Sequence, residues 1–434
     1  MSAPRVLVAG GGYVGLYAAL RLRRARRDAE ITLVNPDNYL LFRPLLPEVA
    51  SGTLEARHAA VPLREALHGV DVVSGRLAGL DAGSHTATVT TLDDGETRRE
   101  YDHAVIAVGA VSRMLPVPGL AEHGIGFTSV AEALFLRNHV LGRLETAHAT
   151  PDRQRRERAL TFVFVGGGYS GVEALAELQD LATDACRWYP TIDPRDMRWV
   201  LVEAADRLLP SLPDELESRA SKLLVSRGVD IKLETQVAKA EDGAVELSDG
   251  TRLATDTLVA VAGVAPNPVL RELGLPLDDA GRLPVDACLR VAGVEGVWAA
   301  GDCAAVPDTV GGGTCPPTAQ YALREGRTLG DNLAAALDGR EPEEFRYRSK
   351  GQFVTLGNRK GVASLGGLRL DGSWAWALRR AYYCAAIPTG NRKLRTLADW
   401  LIATPGHHDS SNLRTEHDPK QPFEQARAAA EKRN

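Results

Sequence analysis

Short apolar runs alternate with longer helix-forming segments from the start of the chain. Val6-Leu7-Val8-Ala9 has strand character, and segment 13–27 places Leu16, Ala19, Leu20 and Leu22 on one face and Arg21, Arg24 and Arg27 on the other. This spacing predicts a strand over 5–9 and a helix over 13–27 with a solvated basic face. Ile31-Thr32-Leu33-Val34 predicts the next strand, and the order returns at Phe162-Val163-Phe164-Val165 and Trp199-Val200-Leu201-Val202. Apolar runs at 101–110, 258–263 and 297–302 each reach a glycine (Gly109, Gly263, Gly301), while 129–149 and 317–338 read as helices. Strands alternating with helices predict an α/β protein with parallel sheets. The polar run Thr150 to Arg158, a charged linker or a helix start, marks a domain boundary.

Both early strands run into the same glycine pattern. The first is Gly10-Gly11-Gly12-Tyr13-Val14-Gly15, and the second is Gly166-Gly167-Gly168-Tyr169-Ser170-Gly171. In such a turn the first glycine permits the tight bend and the second lets the backbone approach a diphosphate. The third lets helix and strand pack closely, and the diphosphate rests on the helix N-terminus. A single copy is weak evidence, but a strand–turn–helix context strengthens it. Two copies predict two Rossmann-like dinucleotide units, with electrons passing between the bound groups. The second unit's next strand ends in Glu203, placed to accept hydrogen bonds from a ribose diol and to repel a 2′-phosphate. Arg207 nearby is the residue most able to soften that preference. At the matching place in the first unit stands Asn35, which can still hydrogen-bond a hydroxyl.

A chain of 434 residues exceeds one core and predicts two or three domains. A net charge of −5 argues against nucleic acid. The five cysteines, Cys186, Cys288, Cys303, Cys315 and Cys384, form no C-x-x-C pair, so neither a disulfide framework nor a metal site is expected. A polar Met-Ser-Ala-Pro start and the absence of an 18-residue apolar run predict a cytoplasmic protein without a bilayer span.

The order of the two fingerprints, Gly109, Gly263 and Trp298-Ala299-Ala300-Gly301-Asp302 resembles the two-dinucleotide flavoproteins, the pyridine nucleotide-disulfide oxidoreductase superfamily. Three stretches are most similar to its type II NADH dehydrogenases: Asn38 to Leu46, Gly171-Val172-Glu173 with Ala176-Glu177-Leu178, and Pro317-Thr318-Ala319-Gln320-Tyr321-Ala322. The likeness spans about residues 5–402. It implies FAD at Gly10, Gly12, Tyr13, Gly15, Asn35, Gly109, Asp302, Ala319 and Gln320. It implies NADH at Gly166, Gly168, Gly171, Glu203 and Gly263. It further implies that the FAD domain is formed by 1–155 and 264–340, with the NAD(H) domain 156–263 inserted. A β/helical segment 341–404 and a polar tail 405–434 complete the chain. The implied reaction takes a hydride from NADH onto flavin N5 and passes two electrons to a quinone. Glu173 is the candidate to position the nicotinamide or relay a proton, and Gln320 is the candidate beside the flavin pyrimidine edge.

The chain departs from that family at Arg43, Pro47, Glu48 and Arg324, all on the presumed acceptor side. Segment 374–402 mixes Trp374, Trp376, Tyr382, Tyr383, Leu394 and Trp400 with Arg379, Arg380, Arg392, Lys393 and Arg395. That pattern suits helices lying on the inner face of the cell membrane, or a cap or homodimer interface. Residues 39–55 lack the redox cysteine of a disulfide reductase. Alternatives are a soluble NADH-dependent reductase of a ferredoxin-like protein or small oxidant, a sulfide:quinone oxidoreductase, and a slow redox-signalling flavoprotein.

Overall fold

A computed structural model describes residues 3–93, 95–349, 351–403 and 408–413. The strand Arg5–Ala9 lies in a seven-stranded sheet, between His103–Ile106 and Glu30–Asn35. All three are parallel, as are Val297–Ala299 at one edge and Asp71–Asp81 on the other side. Thr86–Thr91 and Glu96–Glu100 extend the sheet antiparallel. A second sheet, of five parallel strands, is ordered Gly124–Ile125, Thr257–Ala260, Thr161–Val165, Arg198–Val202 and Val229–Lys232. Parallel strands buried on both faces account for the continuous apolar runs in the sequence.

The chain crosses between the two sheets through the antiparallel pair Ala110–Ser112 and Val264–Pro266. The boundary expected near 150–158 therefore needs correction, because the second sheet already includes Gly124–Ile125. Two residues are too short a run to show any periodicity, so this edge strand left no sequence signal. Of the two readings of the charged run, the helix start is the one found. Arg153–Ala159 is helical, and the Asp152 carboxylate accepts from Gln154 N at 2.9 Å and Arg155 N at 3.3 Å.

Two glycines set the distance between the first-fingerprint helix Tyr13–Ala25 and the helix Ala319–Leu337, here called the closing helix. A Cβ at Gly326 would lie 2.6 Å from Val14 O, and one at Gly330 2.5 Å from Ala18 O. The two helices thus meet backbone to backbone. Arg21 is exposed, as expected of the solvated face, and also reaches Asp331 of the closing helix at 2.7 Å.

The C-terminal part holds an antiparallel sheet, Gly351–Thr355, Gly361–Leu365 and Leu368–Asp371, followed by the helices Gly372–Ala386 and Gly390–Ala403. Most of the expected polar tail lies outside the described residues. Residues 408–413 are fastened down rather than loose: Arg137 donates to the carbonyls of Asp409 and Ser411, and His408 N donates to Asp184 at 2.7 Å. Among the described residues no helix is long and apolar enough to cross a membrane.

Candidate active site

Both glycine turns open on one cleft of about 2210 Å³ at the carboxyl ends of the parallel strands. A drug-sized ligand occupies a pocket of roughly 300–1,000 Å³. This cleft has room for two dinucleotides.

The two turns are built alike. Gly10 and Gly166 have φ of +111° and +112°, and a Cβ on either would lie 2.2 Å from the carbonyl of Ala107 or Val261. A Cβ on Gly15 or Gly171 would lie 1.8 or 2.0 Å from the carbonyl of Gly10 or Gly166. Gly12 and Gly168 differ, because nothing stands within 4 Å of a Cβ added there. The outer glycines are therefore required by the fold, and the middle ones leave open space over a helix N-terminus. A diphosphate fits that space, since the first N–H groups of a helix lack intrahelical partners and favour negative charge. Gly109 and Gly263, at φ +65° and +87°, end their strands at the cleft with open space beside them.

The residues at the end of the second strand of each unit brace these turns. Asn35 Oδ1 accepts from Gly11 N at 2.7 Å, and its Nδ2 donates to Asp37 O. Glu203 accepts from Gly167 N at 2.5 Å with one oxygen and from Ala205 N at 2.8 Å with the other. Both side chains also line the cleft. Arg207 is turned to Asp214 at 2.8 Å.

Asp302 lies on the turn Gly301–Cys303 and faces the cleft. Burial pushes its carboxyl up, and the Arg43 guanidinium holds it back. Gly301 N donates to Glu325 of the closing helix at 2.7 Å. Ala319 begins that helix, whose cap Thr318 accepts from Tyr321 N. Gln320 donates to Gly351 O at 3.2 Å and accepts from Tyr347 Oη at 3.3 Å. The Arg324 guanidinium lies 4.2 Å from the Tyr347 ring centroid and donates to Gln320 O at 2.8 Å. Tyr13 meets Phe42 edge-on, and Phe42 meets Tyr383, at centroid distances of 5.7 and 6.0 Å.

Glu173 is buried and lines the cleft from the helix Tyr169–Ala185. Its carboxylate accepts from Thr355 N at 2.8 Å and from Arg379 Nε at 3.1 Å. Burial pushes the carboxyl up, and the Arg379 charge opposes this.

The profile of the pyridine nucleotide-disulphide oxidoreductase family matches residues 4–326. The chain belongs to that family. Within it, the chain is 31% identical to the type II NADH:quinone oxidoreductase Ndh of Mycobacterium tuberculosis, over 92% of this chain and 87% of that protein. It is 29% identical to a type II NADH:quinone oxidoreductase of Staphylococcus aureus, over 88% of this chain and 95% of that one. Its fold matches the structure of NDH2 from Plasmodium falciparum in complex with NADH. The TM-score is 0.87 at 18% identity, covering 94% of this chain and 99% of that chain.

Beside the features this family shares, the structure holds a cluster that sequence reasoning missed. Arg379, expected on a helix at a membrane surface or in a cap or dimer interface, is 1% exposed and donates to Glu48 at 2.9 Å, to Glu173 and to Pro44 O. Arg380 is also buried, 3.6 Å from Glu48 and over the rings of Trp376 and Trp400. Trp400 Nε1 donates to the second oxygen of Glu48 at 2.6 Å. Glu177 accepts from Thr355 Oγ1 and Ser51 Oγ, and burial raises its carboxyl to about 7. The reason for the correction is charge. Three buried carboxylates need cations, and these two arginines supply them. Glu48, an oddity on the acceptor side when read alone, was the available signal.

Proposed function

We propose that this protein is an FAD-dependent NADH dehydrogenase that passes electrons to a quinone, working peripherally at the inner face of the cell membrane. The observation that carries the reading is the single cleft onto which both glycine turns open. The parts of the chain before the crossover strand Ala110–Ser112 and after Val264–Pro266 hold FAD through the first fingerprint, and the unit between them holds NADH through the second. Bound flavin supplies the hydride acceptor, and the chain's own residues bind and orient.

Gly12 and Gly168 let the two diphosphates approach, and Gly109 and Gly263 keep the strand ends clear. Asp302 accepts hydrogen bonds from the ribityl side of FAD. Asn35 and Glu203 hold their turns and offer oxygen to a ribose. Ala319 and Gln320 present a helix N-terminus, where negative charge is favoured. Glu173, whose carboxylate Thr355 N and Arg379 hold in place at the cleft, positions the nicotinamide.

Turnover of NADH with a short-chain quinone, with and without anionic vesicles, tests this. Quinone-dependent oxidation that rises with vesicles is expected. Turnover only with a ferredoxin-like protein replaces the reading with a soluble reductase. Rapid reduction by NADH without turnover on any acceptor replaces it with a redox signal.

Glu203→Gln is expected to lower the NADH over NADPH preference in kcat/KM roughly tenfold, because the charge that repels a 2′-phosphate is gone while an amide oxygen still braces Gly167. An unchanged ratio removes Glu203 from specificity.

Leu394, Leu397, Leu401 and Ile402 are exposed along one side of the last helix, with Lys393 and Arg395 beside them. This is the face offered to the membrane. Changing Leu394, Leu401 and Ile402 together to serine is expected to weaken vesicle binding by about tenfold per side chain. Reduction of the flavin by NADH should persist. Vesicle binding equal to that of the unchanged protein assigns the face to another role.

A further inference from the structure

We infer that Glu325 is a proton-linked positioning residue for the flavin site: its buried carboxyl holds the Gly301 amide, and through it the Asp302 turn, so that FAD affinity depends on whether that carboxyl carries a proton. The inference rests on the first fingerprint being the FAD site.

The geometry is specific. Glu325 is 2% exposed and accepts from Gly301 N at 2.7 Å. Gly301 has a φ of +77°, and a Cβ there would lie 2.8 Å from Val14 Cγ2. The turn is therefore confined between the first-fingerprint helix and the closing helix. The residue after Gly301 is Asp302, which faces the cleft. The two helices already lie backbone to backbone beside the turn, since a Cβ at Gly326, next to Glu325, would lie 2.6 Å from Val14 O. A change at Glu325 is thus transmitted to the turn rather than absorbed by the helix.

The charge environment is unusual. Among the described residues Glu325 has no ion pair. The titratable groups around it are Asp302 on the turn, Cys315 on the approach to the closing helix and Tyr321 one turn earlier on that helix. Arg43, across the cleft, acts on Asp302. Burial, opposed by the Gly301 amide and reinforced by Asp302, raises the carboxyl to about 7.

Covering the cleft excludes water from Asp302, so the charge of that carboxylate is screened less, acts more strongly on Glu325 and favours its neutral form further. Binding therefore takes up a proton, and affinity falls as pH rises through about 7. The limiting slope is about tenfold per pH unit.

The test is FAD affinity of the full-length apoprotein, read by quenching of flavin fluorescence between pH 6 and 8.5, with CD to confirm folding. Three proteins are compared: unchanged, Glu325→Gln and Glu325→Ala. Glu325→Gln keeps an oxygen for the Gly301 amide without titrating. Its affinity should be flat with pH and exceed that of the unchanged protein several-fold at pH 8.5. Glu325→Ala should bind several-fold more weakly than Glu325→Gln at every pH. An unchanged protein that binds no FAD overturns the cofactor reading itself. A pH slope shared by the unchanged protein and Glu325→Gln overturns the proton link. Equal affinities of Glu325→Gln and Glu325→Ala overturn the positioning role.

Discussion

Replacing Gly12 by valine is expected to give a folded protein that no longer retains FAD. Open space within 4 Å of a Cβ at Gly12 means that the chain itself accepts a side chain there. Its φ of −72° is one that any residue adopts. The valine methyls would project into the space over the helix N-terminus, where the proposed function places the FAD diphosphate. The affinity loss should be at least about a hundredfold, since the diphosphate is shifted from the N–H groups and the dipole that hold it.

Gly10→Val supplies the contrast. A Cβ there lies 2.2 Å from Ala107 O at a φ of +111°, so this variant is expected to fail in folding, not in binding alone. Visible flavin absorbance after purification, set beside CD, separates the outcomes. A folded Gly12→Val protein that keeps its flavin at unchanged affinity would remove the first fingerprint from cofactor binding.

The contrast between these glycines also explains what was legible in the chain. The two fingerprints, the strands that lead into them and the glycine-ended strands at Gly109 and Gly263 are local features. Backbone sterics and buried-strand hydrophobicity write them directly into consecutive residues. Glu203 was legible as a position for the same reason, because it ends a strand whose run is visible. Its bond to Gly167 N was not, since a brace of the glycine turn and a ribose acceptor call for the same side chain. Asn35 shows the same ambiguity.

The C-terminal segment failed differently. Aromatic residues interleaved with arginine on short helices give one pattern for a membrane surface and for a helix whose cations are buried against distant carboxylates. Arg379 meets Glu48 across 331 residues of sequence, a pairing that no local pattern carries. The two halves of the segment differ in what they leave exposed. The helix Gly372–Ala386 turns Arg379 and Arg380 inward, and the last helix leaves Leu394, Leu401 and Ile402 outside. Residues 408–413 were unreadable because their hold on the molecule runs through backbone carbonyls and amides of an ordinary polar stretch.

Arg379→Met is expected to be the most destabilising single change in this part of the molecule. The guanidinium joins Glu48, Glu173 and Pro44 O and lies 4.9 Å from the centroid of the Tyr383 ring. Removing one partner of a buried ion cluster leaves the others charged in a poor solvent for charge. Such losses run at about 3–5 kcal/mol, far above the value of surface pairs.

The pH dependence distinguishes a lost cation from lost packing. Burial already raises the carboxyl of Glu173, and it brings that of Glu177 to about 7. Without Arg379 the Glu173 carboxyl rises further, so the folded state binds more protons than the unfolded one. Stability then falls as pH rises, because its slope follows the protons bound unfolded minus those bound folded. Denaturant unfolding of Arg379→Met should therefore show a deficit that is smallest near pH 5, where the carboxyls are neutral, and that grows toward pH 8. A pure packing defect would give the same deficit at both ends, and that result would deny the cluster its electrostatic role. Arg379→Lys should recover only part of the loss, since an ammonium cannot span the forked arrangement that Glu48, Glu173 and Pro44 O impose.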